Sequence, residues 1–195
     1  NKISLKADGL VGLPRIGWSG RFVWLEEGEA WPTSFEFEPR GLPFDAQTIP
    51  ALPKPADLAT ASAAERLLRV VLRPTAAYPF GDGLTVVRAS LRESSAADAA
   101  PVVDAQARLL WKKGSHWIDD GAFAVSNAAG DFAAWLRLPA NAKPAVDEQG
   151  RLLLQLRIQR SINDANVEKK MNLAAIDGRV NDLPTTPAWS AMTST

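Results

Sequence analysis

The chain has 195 residues, 46% of them hydrophobic, with 22 basic and 22 acidic side chains and no cysteine. That length holds one large or two small domains, and that composition fills a core, which argues against wholesale disorder. A net charge of zero disfavours nucleic acid and anionic membranes as partners, and the lack of cysteine removes disulfides, thiol catalysis and thiolate-held metals.

No run is long and apolar enough to span a membrane. The chain opens at Asn1 with neither a methionine nor an apolar leader, which is expected of a processed product or an excised piece. Ile3 and Leu5 alternate in a short piece before turn residues Gly9, Gly12 and Pro14. Residues 20–25 read as a strand. Residues 34–39 read as another, with Phe35 and Phe37 on one face and Glu36 and Glu38 on the other. Residues 1–45 are thus expected to form a small antiparallel β-unit, too small to stand alone and docked on the larger C-terminal block. Residues 46–65 carry Pro50, Pro53 and Pro55 and then an Ala/Ser/Thr run, the composition of a linker, with a helical turn expected at 61–68.

Residues 66–190 are the better patterned block. Leu68, Val70 and Leu72 alternate with Arg69, Val71 and Arg73; Thr85, Val87, Ala89 and Leu91 with Val86, Arg88, Ser90 and Arg92; and Val103, Ala105, Ala107, Leu109 and Trp111 with Asp104, Gln106, Arg108 and Lys112. Residues 117–125 read as a strand broken at Asp119-Asp120-Gly121. In residues 130–139, Phe132, Ala134, Leu136 and Leu138 take one face while Asp131, Trp135 and Arg137 take the other. Leu152, Leu154, Leu156 and Ile158 repeat the pattern. Residues 161–170 read as a polar connection, residues 171–183 as a last strand, and the tail from Pro184 as irregular and tied down by Trp189. Short alternating strands with evenly spaced turns predict an all-β, antiparallel, Ig-like β-sandwich.

Thr85-Val86-Val87-Arg88-Ala89, Pro101-Val102-Val103-Asp104-Ala105 and Asn127-Ala128-Ala129-Gly130-Asp131-Phe132 occur in that order. Over about residues 67–160 this resembles the carboxypeptidase regulatory-like group of transthyretin-like modules. Pro101-Val102 and Gly130-Asp131-Phe132 match that pattern. Ala100 and Asp104 stand where glycines are common in the group, and Ser126 where threonine is common. The resemblance implies a sandwich fold and a noncatalytic role, and it carries over no active-site residue.

Chemistry-bearing candidates are few. His116 is the single histidine, and Ser115 is its chain neighbour rather than a distant triad partner. Glu36 and Glu38, with Glu26 and Glu27, offer carboxylate pairs of the glycoside-hydrolase kind, for which solvated strand charges are the simpler account. Asp119-Asp120-Gly121 with Asp131, or Asn163-Asp164 with Asn166, offer oxygen ligands for calcium, although neither fits the twelve-residue calcium loop and both suit polar turns. No cofactor, metal or catalytic residue is therefore assigned.

The seven tryptophans are the strongest hint. Trp18, Trp24 and Trp31 crowd the first block, and Trp111, Trp117 and Trp135 the second. Trp135 should leave its own core beside Arg137, to pack on the N-terminal unit, to meet a partner subunit or to stack on sugar. Trp135, Arg137, Trp24 and Trp31 are the expected interaction surface. The preferred expectation is a noncatalytic module serving structure or protein interaction within a larger bacterial protein or assembly. A carbohydrate-binding module is the alternative, and a glycoside-type hydrolase a further one.

Overall fold

A computed structural model of the protein describes residues 2–6, 34–38, 43–51, 53, 54, 56, 57, 60, 62, 65 and 72–195. The chain divides into two compact units, Asn1–Arg73 and Pro74–Thr195. The expected strands at 20–25 and 68–73 and the helical turn at 61–68 lie wholly or mostly outside the described residues.

In the first unit, strands β1 (Lys2–Lys6), β2 (Ser34–Glu38) and β3 (Gln47–Pro50) form one sheet in that order. β1 runs parallel to β2, with Ile3 opposite Phe35 and Leu5 opposite Phe37, and β3 is antiparallel to β2. The expected unit was purely antiparallel. A parallel pair needs a long crossover, and residues 7–33 span that interval. β3 lies inside the stretch with linker composition.

The second unit contains β4 (Thr85–Ser90), β5 (Gln106–Lys113), β6 (His116–Asp119), β7 (Ala124–Val125), β8 (Asp131–Leu136), β9 (Leu152–Ile162), β10 (Ala165–Ala175), β11 (Val180–Asp182) and β12 (Thr193–Ser194), with a 3-10 turn at Trp189–Ala191. The larger sheet has the order β12-β10-β9-β5-β6, with β7 also paired to β5. The smaller has the order β11-β4-β8. Pairing is antiparallel except between β11 and β4.

The period-two stripes meet in one core. Val87, Phe132, Ala134 and Leu136 from the small sheet join Ala107, Leu109, Trp111, Leu154, Leu156 and Ile158 from the large one, and each is at most 5% exposed. Each such aliphatic or aromatic side chain contributes roughly 1.5–3 kcal/mol on burial, so this shared layer holds the two sheets face to face. The fold is an all-β sandwich, as the alternation predicted.

Local chemistry sets the turns between strands. Gly130 has φ +80°, and a Cβ there would lie 2.4 Å from the Leu91 carbonyl oxygen, so only glycine fits. The Leu91 N–H donates to Gly130 O at 2.8 Å and the Val102 N–H to Leu91 O at 3.0 Å, which joins the Gly130 turn to the Pro101-Val102 turn. Buried Ser126 donates to Val102 O at 2.7 Å and accepts from the Ala105 N–H at 2.9 Å. Asp104 also has positive φ, +56°. The kink there shifts the alternation by one residue: Val102 is 1% exposed and Val103, expected in the core stripe, is 44% exposed.

Two further segments differ from expectation. Residues 161–170 are no loop: β9 and β10 run on to a two-residue turn at Asn163-Asp164, with φ +49° and +63°, as a type I′ hairpin requires. The tail is also more regular than expected. Trp189 is buried at 6%, and β12 pairs with β10. After β10 the chain crosses to the small sheet at a corner held by Asn181, whose side-chain N–H groups donate to Val86 O, Ile176 O and Arg179 O and whose oxygen accepts from the Ile176 N–H.

Candidate interaction surfaces

Trp135 lies on the outer face of the small sheet, opposite Val86 in register. Its ring centroid is 5.8 Å from Phe80, which in turn stands 4.9 Å from Tyr78 in an edge-on pair. Arg88 Nη2 donates to Tyr78 O at 2.7 Å and helps hold this loop. The Trp135 flank is therefore filled in part from within its own unit, by loop residues of the 75–83 segment. Arg137 is exposed, one residue past the end of β8. Trp24 and Trp31 lie outside the described residues, as does Trp18.

Beside this cluster a shallow depression of about 300 Å³ is lined by Arg88, Ser90, Asp131, Asp182, Thr185 and Thr186, among others. Ser90 Oγ donates to the Asp131 carboxylate. His116 lies on the other sheet, exposed where β5 turns into β6, so the structure does not bring it to Ser90.

Two of the candidate metal ligands, Asp119 and Asp120, serve as turn acceptors. Asp119 accepts from the Gly121 N–H at 2.8 Å and Asp120 from the Ala122 N–H at 3.0 Å, while Asp131 belongs to the small sheet. Among the described residues no group of three or more His, Cys, Asp or Glu is placed to hold a metal. The side chains of Glu36 and Glu38, and all of Glu26 and Glu27, fall outside the described residues. Burial pushes the Asp45 carboxyl up, partly opposed by the charge of Arg73.

The surface that sequence reasoning missed is the outer face of the large sheet. Register sets Arg108 of β5 directly opposite Arg157 of β9, and Arg157 directly opposite Lys170 of β10. Three cations thus form a row across three adjacent strands, at roughly 4.8 Å per step. Like charges in directly opposed positions are destabilising. Nearby carboxylates offset this only in part: Asp119 lies 3.8 Å from Arg108 and Glu168 3.6 Å from Arg157, both beyond hydrogen-bond reach, and Lys170 has no ion pair among the described residues. Gln106 opposite Gln159 flanks the row on one side, and Gln155 opposite Asn172 on the other. Trp117 sits opposite Lys112 farther along this face, with the Lys112 ammonium 5.9 Å from its ring centroid. The wet-face arginines were visible in the alternation, but the register that aligns them was not.

Comparison with protein-family models, with curated proteins and with solved structures found no match.

Proposed function

We propose that the chain is a noncatalytic β-sandwich module that serves structure or interaction within a larger bacterial protein or assembly. The observation that carries this reading is the cation row Arg108–Arg157–Lys170, three cations set in register on one sheet face with two carboxylates beside them. Such a face suits recognition of an extended partner. The resemblance to carboxypeptidase regulatory-like modules points the same way, and the Asp119 and Asp120 carboxylates already serve as turn acceptors.

Carbohydrate binding is the second reading. It is favoured by Trp117, which shares the face with the glutamine and asparagine rows, because indoles stack on apolar ring faces and amides match hydroxyls.

The test pairs an activity screen on ester and glycoside substrates with hydrogen-exchange mapping under candidate partners. Protection confined to β5, β9 and β10 is the expected result. Turnover abolished by Ser90→Ala or His116→Ala overturns the reading.

A further inference from the structure

We infer that the outer face of the large sheet binds a linear polysaccharide bearing carboxylates, a polyuronate, laid across the strands on Arg108, Arg157 and Lys170. This rests on the carbohydrate-binding reading and names the class of glycan. The first ground is charge complementarity. Three cations stand in line with two carboxylates, Asp119 at 3.8 Å from Arg108 and Glu168 at 3.6 Å from Arg157, so the row keeps a net positive charge, carried by Lys170, in a chain whose net charge is zero. An anionic chain lying perpendicular to the strands meets the three cations in succession.

The second ground is that the central cation is held in place. Gln155 is only 4% exposed. Its Nε2 donates to Asn172 Oδ1 at 3.1 Å, and its Oε1 accepts from Arg157 Nε at 2.9 Å. A buried amide anchored on the next strand thus fixes the Arg157 side chain. No hydrogen bond occupies the terminal nitrogens of Arg157 among the described residues, and Glu168 stays 3.6 Å away from Nη1. A guanidinium fork fixed in this way is suited to a carboxylate, which it can bind through two parallel N–H groups. Gln155 is a positioning residue here and Arg157 a binding residue.

The third ground separates a glycan from other polyanions. The row lies on a sheet face rather than an edge, so an acidic peptide gains no backbone pairing from it. The flanking Gln106, Gln159 and Asn172 bring amides, which both donate and accept, to either side of the row. A chain that alternates carboxylates with hydroxyls uses both kinds of group.

The experiment is calorimetric titration of the full chain with polygalacturonate, its methyl-esterified form, poly-glutamate and single-stranded DNA at two salt concentrations. Binding to polygalacturonate that weakens with salt, is lost on esterification and falls about tenfold or more in Arg157→Gln supports the inference. Gln155→Leu should weaken binding several-fold, and Arg157→Lys should restore only part of what Arg157→Gln loses, since the fork is gone. Thermal melts of each variant confirm folding. Equal binding of the methyl ester overturns the acidic class while leaving carbohydrate binding in place. Tighter binding of poly-glutamate or DNA overturns the glycan and leaves an interaction module. Binding to none of the four overturns the inference outright, and the hydrogen-exchange experiment then judges the module reading independently.

Discussion

The Arg160 guanidinium carbon lies 4.5 Å from the centroid of the Trp189 ring. Lys169 Nζ lies 4.8 Å from the same centroid and donates to Trp189 O at 2.8 Å. Arg160 is in turn paired with Glu93. The indole therefore packs into the core as part of a knot that joins β9, β10, the segment after β4 and the tail. The Trp189 N–H donates to Arg92 O and the Ser190 N–H to Glu93 O, which fixes its backbone as well.

Trp189→Ala should lower unfolding free energy by about 3–5 kcal/mol, the usual range for emptying a large aromatic site. Trp189→Phe should cost less, because part of the volume and the cation contacts survive. Urea unfolding midpoints for the two variants check both magnitude and order.

Asp104 and Gly130 share positive φ and should respond in opposite directions. Asp104→Gly relieves a left-handed residue whose N–H bond to Ser126 O is retained, and should stabilise the fold by roughly 0.5–1 kcal/mol. Gly130→Ala meets the Leu91 carbonyl and should cost more than about 3 kcal/mol or prevent folding. Thermal melting of the purified pair reads the contrast.

Lys170 faces Arg157 across β9 and β10 with no carboxylate of its own among the described residues. Lys170→Thr removes the repulsion and adds a β-branched residue, and should raise stability by roughly 0.2–1 kcal/mol. Denaturant midpoints measure it, and a loss of stability instead would mean that the row is internally compensated.

Asp147 caps the 147–151 turn, accepting from the N–H groups of Gln149 and Arg151 and from Arg151 Nε at 2.8–3.0 Å. Desolvation pushes its carboxyl up, but these donors and the Arg151 charge outweigh it and hold the pKa below the usual aspartate value. Because the folded value is the lower one, the contribution to stability is present above the unfolded pKa of about 3.9 and is lost as pH falls through the folded value. Asp147→Asn should flatten this part of the acid limb of the stability profile, and carboxyl titration followed by NMR should place the Asp147 midpoint below that of exposed aspartates.

The sandwich was legible because side-chain alternation depends on burial alone: Phe132, Ala134 and Leu136, and Leu152, Leu154, Leu156 and Ile158, reach the core in the structure as they do in the pattern. The register slip at Val102 and Val103 was not legible, because it follows from the backbone sign at Asp104. The Asn163-Asp164 hairpin carried a readable signal, two residues that tolerate positive φ between extended runs, but the polar stretch after it obscured the start of β10. The cation row escaped notice because Arg108, Arg157 and Lys170 are far apart in the chain, and a one-residue shift in pairing would place them on different faces.

The Asn181 corner has a consequence for how the protein is made. Strand β4 finds one edge partner in β8 and the other only in β11, and Asn181 binds Val86 O across 95 residues of chain. At a synthesis rate of roughly 5–20 residues per second, β4 spends about 5–20 seconds with an open edge before that partner exists. A nascent chain in this condition is a natural client for a holding chaperone, and slow translation of residues 137–179 should increase aggregation more than slow translation after Asp182.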